Sequence, residues 1–283
     1  MIRLHLLGYK GFIALSQLDK QFLGKITTVV IAKDKGIKED YFEETAAWCK
    51  AHNLLWFERT KEPPIKNETA IAIGWRWLIS DAAKLVVFHD SLLPKYRGFN
   101  PLVTALINGD TAIGVTSLYG SNEYDRGDII SQKKINITYP IKINDAIEKI
   151  AGLYASLLND FFSGAVDAIP QNESEATYSL WRDATDYFID WHLSAAEIVR
   201  FIDAVGFPYD GAKTKFDDKI VIVDNATEVP DVPVANRTAG KVIFKEGNCF
   251  TIVCGSGLIS ISEFKDEDGN SIDLSGKFRL RFQ

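Results

Sequence analysis

Short apolar, β-branched runs alternate with amphipathic stretches through the first half of the chain, a rhythm that predicts an α/β domain on a mainly parallel sheet. Strands are expected at 2–7, 27–32, 54–57, 69–73 and 85–89, with helices at 12–22 and 40–52. Gly8 and Gly11 are expected to bracket a turn, and a short element is expected at 77–83, after the proline-bearing loop 59–68. Further on, Pro101 opens and Gly109 closes a helix at 101–108, and strands at 113–119 and 128–137 flank the loop 120–127. From 144 to 162 apolar residues recur at three and four, the mark of a long helix with one buried face.

The later part of the chain changes character. A helix is expected at 194–205, followed by short strands at 219–223, 240–244, 250–254 and 258–263, which together predict a small OB-like β-barrel. The expected division is a Rossmann-like domain at 1–175, a linker with helix at 176–205 and the barrel at 206–283. There are no repeats and no low-complexity tracts.

Composition removes several classes. With 283 residues the chain is long enough for a core that needs no disulfide or metal staple, and its three cysteines show neither a zinc knuckle nor a CxxC pair. No run approaches the length of a membrane span, and the start lacks the features of a signal peptide, so a cytoplasmic protein with no membrane partner is expected. The net charge of -6 without any Lys/Arg cluster argues against nonspecific nucleic-acid binding, which rests on neutralising phosphates.

The candidate chemistry lies at the end of the fifth strand. His89 stands at that end, where clefts form in open α/β sheets, and an acid, Asp125, follows in the 120–127 loop. A carboxylate beside an imidazole favours its charged form and orients it for proton transfer. The competing reading is structural: His89 ends a strand, and Asp125 makes a turn before Gly127.

The string His89-Asp90-Ser91-Leu92-Leu93-Pro94, then Arg97-Gly98, Pro101, Gly109, Gly114-Val115-Thr116 and Asp125-Arg126-Gly127-Asp128-Ile129 resembles the signature of the 10-formyltetrahydrofolate-dependent formyltransferases. The stretch from Ile189 through Thr214, followed by Ala239-Gly240-Lys241, is similar to the start of the second domain of methionyl-tRNA formyltransferases and some nucleotide-sugar N-formyltransferases. The resemblance implies 10-formyltetrahydrofolate as donor, no metal, and His89 and Asp125 as the catalytic residues. It implies a pterin pocket at Ile73, Gly74, Trp75, Arg76, Leu93, Tyr119 and Asp125. Gly8, Tyr9, Lys10, Gly11 and Arg97 are the candidate acceptor side, Gly8 and Gly11 because a turn there can approach a nucleotide phosphate, although such a turn more often just connects strand to helix. Trp75 and Trp77 also read as core aromatics.

One position departs from the pattern. The family's asparagine, two residues before the histidine, falls on Val87, which has no side-chain hydrogen bond to offer the oxygen that gains charge. Asn100 and Asn122 are substitutes by residue type, although a cap before Pro101 and an ordinary loop asparagine are the simpler accounts of them. Three functions stay open. A nucleotide-linked amino-deoxysugar is one acceptor and methionyl-tRNA another; a folate-binding homologue without activity is the third. Residues 201–283 carry 10 Lys and Arg against 13 Asp and Glu, a balance that favours the small-molecule acceptor over nucleic acid. A homodimer is a candidate assembly.

Overall fold

The computed structural model describes residues 1–164, 167–277 and 279–283. These form two compact units, one of Met1–Leu102, Thr111–Ile137 and Asp145–Trp181, the other of Val103–Asp110, Thr138–Asn144 and Arg182–Gln283. The first unit is built on a seven-stranded sheet. In chain order its strands are β1 (Ile2–Leu6), β2 (Ile26–Ile31), β3 (Trp56–Glu58), β4 (Thr69–Ile73) and β5 (Lys84–His89). After the two-residue strand β6 (Arg97–Gly98) come β7 (Ala112–Tyr119) and β8 (Ile129–Asn136), and the sheet order is β3-β2-β1-β4-β5-β7-β8. The first five strands pair in parallel, whereas β7 and β8 join antiparallel. Because the chain leaves β3 and re-enters on the far side of β1, the order reverses between β1 and β4, the kind of place where open sheets bind ligands. Two-residue β9 (Tyr178–Ser179) pairs with β6 outside this sheet.

Helix α1 (Gly8–Ser16) begins directly after β1, so Gly8 and Gly11 lie in the helix and not around a turn, and the 12–22 expectation is displaced. Helix α2 (Phe42–Ala51) follows β2, and α3 (Pro101–Asn108) keeps its expected limits. Along α4 (Ile143–Ser163) the buried side chains Ala146, Ile147, Ile150, Tyr154, Leu157 and Leu158 realise the three-and-four spacing. Among the described residues no α-helix covers the crossovers 59–68 and 74–83. There the sheet face carries Arg3 and His5, both buried on β1. Glu62 from the first crossover accepts from Arg3 at 3.0 Å and lies 2.8 Å from His5 Nε2; Glu68 lies 2.6 Å from Arg3. Burial holds His5 below the ordinary histidine pKa despite Glu62.

In the second unit α5 (Ala195–Val205) starts from a reciprocal cap, Glu197 N donating to Ser194 Oγ at 3.3 Å and Ser194 N to Glu197 Oε2 at 2.9 Å. Strands β10 (Ala212–Phe216) and β11 (Lys219–Val223) form a hairpin. β12 (Thr227–Val229), β13 (Val242–Glu246), β14 (Cys249–Val253) and β15 (Leu258–Ile261) form a four-stranded antiparallel sheet. A bridge at Ile222 and Lys265 links β11 to the segment after β15. Phe264 and Phe282 stack at 4.9 Å in its core, and Trp191 donates to Thr214 Oγ1 at 2.9 Å. Cys249 and Cys254 are free thiols, the second buried.

Candidate active site

Two strand ends and one loop make the site. His89 is the last residue of β5 and is buried, with Nε2 donating to the Tyr96 carbonyl at 2.8 Å. That bond commits Nε2 and leaves Nδ1 as the nitrogen for proton exchange; it faces Asp125 Oδ1 at 3.5 Å. The separation is an ion-pair distance and longer than a closed hydrogen bond, a looseness common before substrates bind.

Asp125 is held by backbone. Its Oδ2 accepts from Gly98 N at 2.9 Å, and its own φ of 54° places it in the left-handed region that aspartate tolerates. The loop can fold this tightly onto β7 only because residue 127 is glycine, since a Cβ there would stand 1.8 Å from the Tyr119 carbonyl oxygen. The segment following α4 then locks the loop. Ile169 exchanges backbone bonds with Ile129, and two residues on the Gln171 amide donates to the carbonyls of Asp125 at 2.7 Å and Gly127 at 2.8 Å. Gln171 Oε1 in turn accepts from Arg97 Nε at 3.0 Å, and Arg97 grips Glu173 through two further N–H groups at 2.9 and 2.8 Å.

Arg97, expected on the acceptor side, is therefore corrected to a buried anchor. None of its surface is exposed, and Gln171 and Glu173 occupy its guanidinium. Glu173, bonded by Arg97 and flanked by Arg126, has its carboxyl pulled down to about 2. The Ser91–Pro94 turn is clamped as well: Thr116 Oγ1 donates to the Ser91 carbonyl at 2.7 Å and accepts from Leu93 N at 3.2 Å, and Gln132 donates to Leu93 O at 3.0 Å.

The remaining expected residues fall around this centre. Lys10 in α1 pairs with Asp90, which also accepts from the buried Tyr154 hydroxyl. Tyr9 lies against Tyr41 at 5.0 Å. Ile73 ends β4 and Gly74 follows it; Ile73 is buried, as is Leu93. Trp75 turns back so that its ring meets His5 edge-on at 5.0 Å and Trp77 at 5.1 Å, while its buried Nε1 finds no hydrogen-bond acceptor among the described residues. Arg76 pairs with Asp34 at 2.7 Å. Tyr119 closes β7 under the Lys84 ammonium, 3.9 Å from its ring. A cavity of about 300 Å³ opens beside Trp75, Trp77 and Ile79, with Arg59 stacked 4.4 Å over Trp77.

Alternation along β5 puts Val87 on the face of His89, and its register neighbours are Ala72 and Leu118. None of these three carries a side-chain donor; the next position of the row, on β1, is His5, whose Nε2 is held by Glu62. Asn100 and Asn122 are exposed, the first just after β6 and the second in Asp125's own loop. Sequence reasoning missed Gln171 and Glu173, about 45 residues beyond the loop they hold, and the Tyr96 carbonyl, which has no side-chain signature.

A mainly parallel sheet carries a histidine–carboxylate pair at the end of β5, an arrangement suited to proton transfer. Residues 73–157 match the formyl transferase family model and residues 183–279 that of the formyl transferase C-terminal domain. The chain belongs to the formyltransferase family. It is 31% identical over 202 residues to a methionyl-tRNA formyltransferase of Alkaliphilus oremlandii, a match covering 68% of this chain and 60% of that protein. Among solved structures, an N-formyltransferase from Helicobacter canadensis, in complex with folinic acid and dTDP-3-aminofucose, shares the fold with a TM-score of 0.70 at 16% identity. It matches over 93% of this chain and 98% of that one. WlaRD, a sugar 3N-formyl transferase, gives 0.69 at 19% identity, over 93% and 97%.

Proposed function

We propose that the chain transfers the formyl group of 10-formyltetrahydrofolate to the amine of a nucleotide-linked amino-deoxysugar. The observation that carries the reading is the His89–Asp125 pair, set 3.5 Å apart at the end of β5 and held by backbone on both sides. The donor, when bound, supplies an electrophilic formyl carbon. The cavity beside Trp75 offers its pterin aromatic walls, a guanidinium and the Glu62 carboxylate.

Asp125 accepts the proton that the attacking ammonium loses, and His89 Nδ1 passes a proton to the nitrogen that departs as the new C–N bond forms and the old one breaks. With Val87 in the asparagine position, the oxygen that gains charge is met by the His89 N–H together with a backbone N–H or a water. This chemistry is placed in residues 1–175, with 176–205 as linker and 206–283 as an accessory barrel. The setting is cytoplasmic synthesis of surface polysaccharide precursors.

Support for the sugar acceptor comes from extent and charge. The solved sugar N-formyltransferases match this chain almost end to end, and residues 201–283 carry more acid than base. A methionyl-tRNA acceptor is the second reading, favoured by the 31% identity to curated enzymes of that kind, although the match spans about 60% of their length. Incubating the protein with 10-formyltetrahydrofolate and a panel of dTDP- and UDP-linked amino sugars, with mass detection of one added formyl group, tests the proposal. Formylation of charged initiator tRNA alone, with steeply salt-dependent binding, would replace it by the second reading.

A further inference from the structure

An inner strand of a mainly parallel sheet is an unusual place for charge, yet β1 buries both Arg3 and His5. They serve one segment. Arg3 donates to Glu62 Oε1 at 3.0 Å and to the carbonyls of Pro63 and Pro64 at 2.6 and 3.3 Å, and lies 2.6 Å from Glu68. His5 Nε2 stands 2.8 Å from the same Glu62 oxygen; kept neutral by burial, the ring carries one proton, and a carboxylate neighbour places it on Nε2. A buried ion network adds little stability over apolar residues of the same size, so its use is to be sought in what it holds. It holds one carboxylate. Glu62 Oε1 is taken by both β1 side chains, whereas Oε2 makes no hydrogen bond among the described residues, and Glu62, 22% exposed, lines the cavity of Trp75, Trp77 and Arg59.

Resting on the donor proposed above, we infer that Glu62 Oε2 accepts from the 2-amino and N3 hydrogens of the pterin and selects folates that carry that edge. A 2-amino-4-oxopyrimidine ring presents two N–H groups side by side, and a carboxylate oxygen with both lone pairs open accepts from both. The oxygen is fixed in place, because Oε1 is tied to Arg3 and His5, and the His5 ring is braced edge-on against Trp75 at 5.0 Å. Asp81, the other acid of the lining, is exposed, and no hydrogen bond among the described residues fixes its carboxylate. At about 300 Å³ the cavity is at the lower end for a ligand pocket, room for the bicyclic ring and not for a whole folate, and its aromatic walls suit a planar heterocycle.

The test is calorimetric binding of 5-formyltetrahydrofolate, its 2-desamino-2-methyl analogue and its 2-oxo analogue to the natural protein and to Glu62→Gln. Arg3 and His5 both donate, so they keep the oxygen of the glutamine amide and turn its NH2 toward the cavity, where the pterin edge then meets a donor in place of an acceptor. The natural protein should bind the 2-amino ligand about tenfold to a hundredfold more tightly than the 2-methyl one, the range for a hydrogen bond to a charged group. Glu62→Gln should weaken the 2-amino ligand by a similar factor, leave the 2-methyl one within about threefold, and bind the 2-oxo ligand more tightly than the natural protein does. The KM for 10-formyltetrahydrofolate should rise in parallel, with the acceptor KM unchanged. Equal binding of the 2-amino and 2-methyl ligands by the natural protein, or one common factor for all three in the variant, would overturn the inference; formyl transfer by that same natural protein would leave the proposed function standing. Absence of both folate binding and formyl transfer would overturn both.

Discussion

Gln171 touches neither His89 nor the Asp125 carboxylate, yet replacing it should slow the reaction. Its amide holds the carbonyls of Asp125 and Gly127 at 2.7 and 2.8 Å, and its oxygen takes two N–H groups of Arg97. Gln171→Leu removes all four bonds with little change of volume. At about 1 kcal/mol net for each backbone bond, with water able to replace part of them at a half-buried position, and somewhat more for the bonds to the guanidinium, stability should fall by about 2–3 kcal/mol. Release of the Asp125 carbonyl also frees a residue held at φ 54° to relax toward ordinary backbone. A displacement near 1 Å at a group that must meet a proton lowers turnover by on the order of 10².

Gln171→Glu separates the two effects. A carboxylate there keeps an acceptor for Arg97 but turns oxygens toward the two carbonyls, so the loop is released while the buried guanidinium stays paired. Urea titrations at constant m-value should place the Gln171→Leu variant lowest and the Gln171→Glu variant, which keeps the pairing with Arg97, between it and the natural protein. Single-turnover formyl transfer should fall in both variants, with KM for either substrate little changed. Natural turnover in Gln171→Glu would refute the idea that the amide positions Asp125.

Other expectations follow from the same geometry. His89→Ala and Asp125→Ala should each lower kcat by at least about 10², and the double variant by much less than the product, as steady-state kinetics on the three proteins will show. Val87→Asn should change the rate by less than about tenfold, since a site arranged around other donors gains little from one more; activity absent in the natural protein and restored by this change would mark Val87 as inactivating. Glu173, lowered from 4.5 to about 2, adds stability that is fully present above 4.5 and is lost as pH falls toward 2. The urea midpoint difference between the natural protein and Glu173→Gln should therefore shrink across that interval, and a constant difference would count against the Arg97 latch.

Much of this was legible in the sequence, for reasons that also explain what was not. β2, β4 and β5 announce themselves as short β-branched or apolar runs, as strands inside a mainly parallel sheet do, and α3 is bounded by Pro101 and Gly109. The 12–22 helix was displaced because a helix beginning at Gly8 has no polar cap, Leu7 standing at its N-cap without a side-chain bond. In the second unit β10 and β12 were missed: Ala212–Phe216 alternates with lysines and Thr227–Val229 is three residues long, so neither gives a strong period. At the site, His89 and Asp125 were readable from their place in a motif. Arg97 was placed on the acceptor side, although its burial shows a different use, and only the fold brings Gln171 and Glu173 against it.

The arrangement has a consequence for how the departure at Val87 is to be understood. A catalytic carboxylate supported by neighbours on the same sheet face would be sensitive to every change in that row, and Ala72, Val87 and Leu118 offer it nothing polar. Asp125 is instead fixed by Gly98 N, by the tight turn at Gly127 and by a side chain arriving from residue 171. His89 likewise takes its orientation from a backbone carbonyl. The geometry of the acid–base pair is thereby independent of what stands at residue 87, so the substitution of valine removes a donor without disturbing the pair. On the proposed mechanism a change at residue 87 therefore acts only on support of the oxygen that gains charge, whereas loss of His89 removes both that support and the proton donor.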